Sequence, residues 1–185
     1  MADLAGKKVA YYGFTGPIEP GGVTRLCQAL NIAANQNYDQ IYLCLSSQGG
    51  YVGDGIYLYN HIRALPVEVI AHATGSVASI AMICFVAAHT RYCSAHAMFM
   101  MHPTSVGPFT DRVVWERLQS ALDSAVADDA RTENILRERT KLSDEMLSAK
   151  RVGDVHLTPK QALEFGLVQD IREFSVPPGN QLVQI

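Results

Sequence analysis

Strand-like runs that alternate with helical segments constrain this chain more than any other feature. Lys8 to Phe14 (KVAYYGF), Gln40 to Leu45 (QIYLCL) and Val67 to Ala73 (VEVIAHA) are short and rich in β-branched and aromatic residues. Between the first two, Val23, Leu26, Cys27, Leu30, Ile32 and Ala33 recur at helical spacing. Val52 to Ala64 reads as a second helix, closed by Pro66. Thr74 to Ala88 (TGSVASIAMICFVAA) carries no Lys, Arg, Asp or Glu and reads as a buried helix of about three turns. Thr90 to Cys93 and Ala97 to Met101 are strand-like again. The order β, α, β, α, β, α, β predicts an α/β fold with a mostly parallel sheet and helical crossovers.

Beyond the loop Pro103 to Pro108 the pattern changes. Asp111 to Arg139 is a long charged helix whose Val114, Leu118, Leu122 and Val126 share one face. That stripe fits burial against another subunit or against its own domain. Ser143 to Lys150 predicts a shorter helix. Thr158-Pro159-Lys160-Gln161 is a helix start, with a Thr cap, Pro in the first turn and Gln three residues on. Gly166 ends that helix, and Leu167 to Ile171 returns as a strand. The tail from Arg172, REFSVPPGNQLVQI, follows no recognisable pattern.

The 185 residues suit one domain over positions 1–185, which would bury roughly 70% of the unfolded chain's surface. A net charge of −3 offers no electrostatic footprint for nucleic acid or an anionic membrane. Cys27, Cys44, Cys84 and Cys93 lie in or beside apolar segments without a CxxC pair, so they read as buried thiols in a reducing compartment rather than metal ligands. No apolar leader stands in MADLAGKKVAYYGFTG, and no apolar run approaches the ~20 residues of a membrane span. A cytoplasmic protein is expected. No GxxxxGK[ST] and no GxGxxG opening a helix is present, so neither a nucleotide nor another cofactor is expected.

In such sheets functional groups gather beyond the C-terminal strand ends. Two ends stand out: Gly49-Gly50 follows QIYLCL, and Thr74-Gly75 leads to Ser79. A serine at a helix N-terminus meets unpaired N–H groups able to stabilise an oxyanion; the same residue also serves as a simple cap or tight-turn residue. Paired glycines let backbone approach a substrate, or make an ordinary turn. Of the six histidines, His61 and His89 fit surface or capping roles, and His72 lies within a strand. His102 ends the strand AMFMM just before Pro103, on the same sheet edge as Ser79, and is the candidate base. Asp154, in RVGDVH, reads by itself as a solvated turn residue.

Together, GSVASIAM with Ser79, MFMMH with His102, SSQGG before a helix, and GDVHLTPKQALEFGLV resemble the ClpP family, the proteolytic subunits of the caseinolytic (Clp) protease. The likeness runs from about Lys7 to about Ile171. It implies a ClpP/crotonase-like fold, with 103–142 as a protruding handle and 172–185 as a tail. It implies a serine endopeptidase in which Ser79 is the nucleophile, His102 the general base and Asp154 the orienting acid, with Gly50 and Ile80 N–H groups as oxyanion hole and no metal. A Ser-His-Asp order would be a further convergent triad. The resemblance also implies peptide or unfolded-protein substrates and a homo-oligomer of stacked rings. An AAA+ unfoldase is the candidate partner. The family's N-terminal axial segment has no counterpart ahead of Lys8, which predicts weak or absent coupling to that ATPase. Gln48 stands where the family usually has proline and Ile80 where it has methionine, both near the oxyanion hole. A crotonase-like acyl-CoA enzyme and a non-catalytic ring subunit are the alternatives; neither needs the three polar residues together.

Overall fold

The computed structural model describes residues 6–185. The readings on a leader and on an N-terminal segment fall partly on residues 1–5, outside the described residues. Strand β1 (Val9–Thr15), helix α1 (Pro20–Asn35), β2 (Gln40–Ser47), α2 (Val52–Ala64) and β3 (Glu68–Ala78) alternate as the hydropathy pattern predicts. They are followed by α3 (Ile80–Val86), β4 (Thr90–Cys93), β5 (Met98–Met101), α4 (Trp115–Arg139) and α5 (Asp144–Lys150). The chain closes with β6 (Val155–Leu157), α6 (Pro159–Glu164), β7 (Asp170–Ile171) and β8 (Leu182–Gln184).

The sheet runs β6-β5-β3-β2-β1-β8, with β4 between β3 and β7 off this path. Among the described residues only β5 with β6 is antiparallel. Side chains alternate across it. Ala10, Tyr12, Phe14, Ile41, Leu43, Leu45, Val69 and Ala71 join the helices in the main core. Val9, Tyr11, Tyr42, Cys44, Ile70 and Tyr92 face the other way, beneath Phe174 and Val176 of the tail. Both faces are thus covered, which is why the strands read as near-continuous apolar runs. All four cysteines are free and buried. No helix among the described residues is long and apolar enough to cross a membrane.

Three expectations need correction. Thr74 to Ala78 belongs to β3, not to the apolar helix, which is only Ile80–Val86. The strand continues because Ser76, Val77 and Ala78 pair with Met98, Phe99 and Met100. That pairing lies some twenty residues downstream and is invisible to local periodicity. The charged helix begins at Trp115 rather than Asp111. The patternless tail has structure: β8 pairs in parallel with β1 through Tyr11↔Leu182, Tyr12↔Val183 and Gly13↔Gln184. The Thr158 reading holds in full, as a capping box with Gln161.

Candidate active site

Ser79 occupies the junction where β3 turns into α3. It is the N-cap of that helix, at φ 57 and ψ −132. Asn37 is the only other non-glycine residue at positive φ among the described residues. Such a conformation costs about 1–3 kcal/mol and persists only where the surroundings enforce it. Here the Ser79 N–H donates to Met100 O at 2.7 Å, and its carbonyl accepts from Met82 N–H at 3.0 Å. Helix α3 is buried along its length, so the strain is offset by the packing of Met82, Phe85 and their neighbours. The result presents the hydroxyl at the mouth of a strand–helix turn, the arrangement that exposes a nucleophile in hydrolases.

The Gly49-Gly50 turn lies against it. Gly49 has φ +98, and a Cβ there would sit 2.6 Å from Ser79 Cβ and 3.1 Å from Ser79 Oγ. A Cβ on Gly50 would collide with Ile18 O. Neighbouring groups pin the turn: Ile18 N–H donates to Gly49 O, and Tyr51 N–H to Ile18 O, both at 2.8 Å. Among the described residues no carbonyl accepts from the Gly50 or Ile80 N–H. The first N–H groups of a helix have no partner of their own, and Ile80 is the first residue of α3.

A cavity of about 210 Å³ opens over these groups, lined by Gly50, Ser79, Ile80 and His102 with Leu136 and Lys150. The serine, the histidine and the two oxyanion candidates predicted from sequence therefore share one pocket. Asp154 does not line it and is exposed. It directly precedes β6, whose Val155 pairs with Met101, the residue before His102. Among the described residues no side-chain hydrogen bond joins Ser79, His102 and Asp154. Of the other histidines, His72 is fully buried, with Nδ1 2.8 Å from Tyr42 Oη and Nε2 3.2 Å from Ser94 Oγ.

Sequence reasoning passed over a charged cluster that reaches the pocket through Lys150. Lys150 is 4% exposed, and its Nζ donates to Asp129 Oδ1 at 2.7 Å. Glu133 is fully buried and accepts from Arg151 Nε and Nη2 at 2.9 and 2.5 Å. Burial raises the Asp129 pKa, but hydrogen bonds from Lys150 and Thr104 more than reverse this and hold it below the usual carboxylate range. Glu133 is likewise lowered, first by the Arg151 hydrogen bonds. The available signal was Asp129 and Glu133 at i, i+4 on one helix, with a Lys-Arg pair downstream.

A model of the Clp protease family matches residues 13–174. The chain belongs to the Clp protease family. It is similar to the ATP-dependent Clp protease proteolytic subunit 2 of Pseudomonas aeruginosa, at 30% identity over 92% of this chain and 86% of the relative. It is also similar to proteolytic subunit 1 of Streptomyces avermitilis, at 28% identity over 93% and 78% of the two chains. Among solved structures, a variant of ClpP1 from Listeria monocytogenes superposes with a TM-score of 0.76 at 22% identity, covering 90% of this chain and 91% of that one. The last likeness concerns fold alone. The ClpP-like α/β architecture expected from sequence is therefore the one found, and the resemblance read from the motifs is a family relationship.

Proposed function

We propose that this Clp-family chain is a serine endopeptidase that cleaves peptides or unfolded polypeptides inside an oligomeric chamber. The observation that carries the reading is Ser79, forced to positive φ at the start of a buried helix and sharing a cavity with His102. Serine is a weak nucleophile until a base takes its proton. In this mechanism His102 accepts the Ser79 Oγ proton as Oγ attacks the substrate carbonyl carbon. The oxygen's negative charge develops toward the Gly50 and Ile80 N–H groups. Collapse expels the amine, which takes the proton back from His102 and leaves an acyl-enzyme. Water, deprotonated by His102, then releases the acid and restores the serine. Asp154, next to the β6 residue that pairs with Met101, orients the imidazole and balances its transient positive charge.

Assembly is supported by the long helix. Val114, Trp115, Leu118, Leu122 and Val126 are 66%, 71%, 48%, 55% and 61% exposed. An apolar stripe of this length is suited to a second copy of the chain rather than to water. Two stacked rings joined through α4 would shut Ser79 inside and admit only extended substrates. The relatives' names carry the term ATP-dependent, which makes an AAA+ unfoldase the partner to test.

The deciding experiment combines native mass measurement with fluorophosphonate labelling. The expected result is an oligomer labelled once per chain, with labelling and short-peptide cleavage both lost in Ser79→Ala. A Ser79→Ala protein that still cleaves would refute the assignment. A wild type that neither takes the label nor cleaves would reopen the acyl-CoA and scaffold readings, which have no use for this hydroxyl.

A further inference from the structure

Two stretches carry the proposed base and the orienting acid, and both are anchored to a single turn of α4. Thr104 lies two residues after His102. Its N–H and its Oγ1 both donate to Asp129 Oδ1, at 3.0 and 2.9 Å. The same oxygen accepts from Lys150 Nζ at 2.7 Å. Pro103 is the one residue between His102 and Thr104, and its ring fixes φ, so little slack separates the imidazole from this anchor. One turn further along α4, Glu133 takes the paired donors of Arg151, three residues before Asp154. Lys150 links the two carboxylates, with its Nζ 3.8 Å from Glu133 Oε1. Arg137 Nη2 completes the cluster 3.7 Å from Glu133 Oε2.

The Lys150 side chain is 6% exposed and that of Glu133 is fully buried, while both Lys150 and Thr104 reach the wall of the cavity that holds Ser79. Buried charges of this kind are retained only when paired, and removing one partner strands the other. The Asp129 oxygen is not simply a counter-ion for Lys150. It also receives two donors from the segment that carries the base. A surface ion pair made for stability needs no such contact.

We propose that Asp129, held ionised by Lys150, is a positioning residue that fixes His102 over Ser79 by gripping Thr104. This rests on the reading of His102 as the base. Displacing a reacting group by about 1 Å costs on the order of a hundredfold in rate, so loosening this anchor lowers turnover while substrate binding is largely kept.

The test uses the assembled protein, a short fluorogenic peptide and a fluorophosphonate probe. Asp129→Asn keeps the shape but weakens the grip on Thr104 and strands the Lys150 charge. Thr104→Ala removes one of the two Thr104 hydrogen bonds and leaves every charge in place. The double exchange Asp129→Lys with Lys150→Asp restores an ion pair but puts an ammonium, which cannot accept a hydrogen bond, opposite the Thr104 N–H. The expected result is a kcat lowered about tenfold or more in Asp129→Asn and about threefold in Thr104→Ala, with KM within about twofold of wild type. Fluorophosphonate labelling should be slower in both yet run to the same final amplitude. The double exchange should recover thermal stability without recovering kcat.

A merely structural pair predicts the opposite: lower labelling amplitude in the single variants and full recovery of kcat in the exchange. Either result overturns the proposal, as does wild-type kcat in Thr104→Ala. If Asp129→Asn does not fold, Thr104→Ala decides alone. Failure of the peptidase reading is told apart by Ser79→Ala. A cleaving Ser79→Ala variant removes both ideas, whereas an inactive Ser79→Ala beside an unaffected Thr104→Ala removes only this one.

Discussion

Acid should weaken this protein through one histidine remote from the proposed chemistry. His72 lies at mid-strand on the sheet face covered by the tail, with no exposed surface. Tyr42 and Ser94 meet its two ring nitrogens. Phe174 and Tyr92 stand edge-on to it, at 5.7 and 6.3 Å between centroids. The charged groups near it come from the tail, Glu173 and Arg172, the latter stacked over Tyr92 at 3.9 Å. Burial dominates and lowers the His72 pKa from 6.5 to about 4, against smaller upward pulls from the Arg172 backbone and Glu173. In the fold, then, the ring stays neutral until pH approaches 4, whereas in the unfolded chain it gains a proton below about 6.5. Between those values the unfolded state binds more protons, so stability falls as pH falls. Integrating over the interval from pH 7 to pH 5 gives a loss of about 2 kcal/mol from this group. Urea unfolding followed by far-ultraviolet circular dichroism, at fixed protein concentration and at both pH values, measures it. Other groups titrate too, so the comparison is with His72→Gln, a neutral amide that can still meet both hydroxyls. The variant should lose about 2 kcal/mol less than wild type over the same interval. Equal losses in the two proteins would refute the account of His72 as a ring buried neutral.

Two further outcomes follow from particular contacts. Gly49→Ala should reduce peptide cleavage by tenfold or more, since a Cβ at φ +98 would meet Ser79 Cβ at 2.6 Å; peptidase assay and thermal melting together check that the fold survives. Replacing both Leu118 and Leu122 by Asp should dissociate the assembly while lowering the monomer's own stability by only about 1–2 kcal/mol, from helix propensity and the new i, i+4 repulsion, because both side chains are exposed. Native mass measurement reads the first effect and urea unfolding of the dissociated chain the second.

The candidate site was partly legible in the sequence. Ser79 and His102 were legible as candidates because one was read at the start of a helix that follows a strand and the other at a strand's end, and strand ends in a parallel sheet share one edge. The Gly49-Gly50 turn was visible because only glycine fits where backbone meets a side chain this closely. Asp154 was a candidate by family likeness alone; its neighbour Val155 comes beside Met101 only through the antiparallel pairing of β5 with β6, which local spacing does not reveal. Asp129 carried only the weak signal of its i, i+4 spacing to Glu133, which does not reveal its partners. Its partners Thr104 and Lys150 lie 25 and 21 residues away, and a carboxylate on a charged helix looks the same whether it faces water or grips a loop.

The sequence by itself determined the alternation of strands and helices, the apolar stripe of α4 and the capping box at Thr158, because each is a matter of residue spacing within one element. Tertiary structure alone decided that Thr74–Ala78 continues β3, since small residues have no strong preference and the pairing with β5 supplies the hydrogen bonds. It also decided that the tail forms β8. A backbone edge on β1 needs a partner, and the one it takes lies at the far end of the chain.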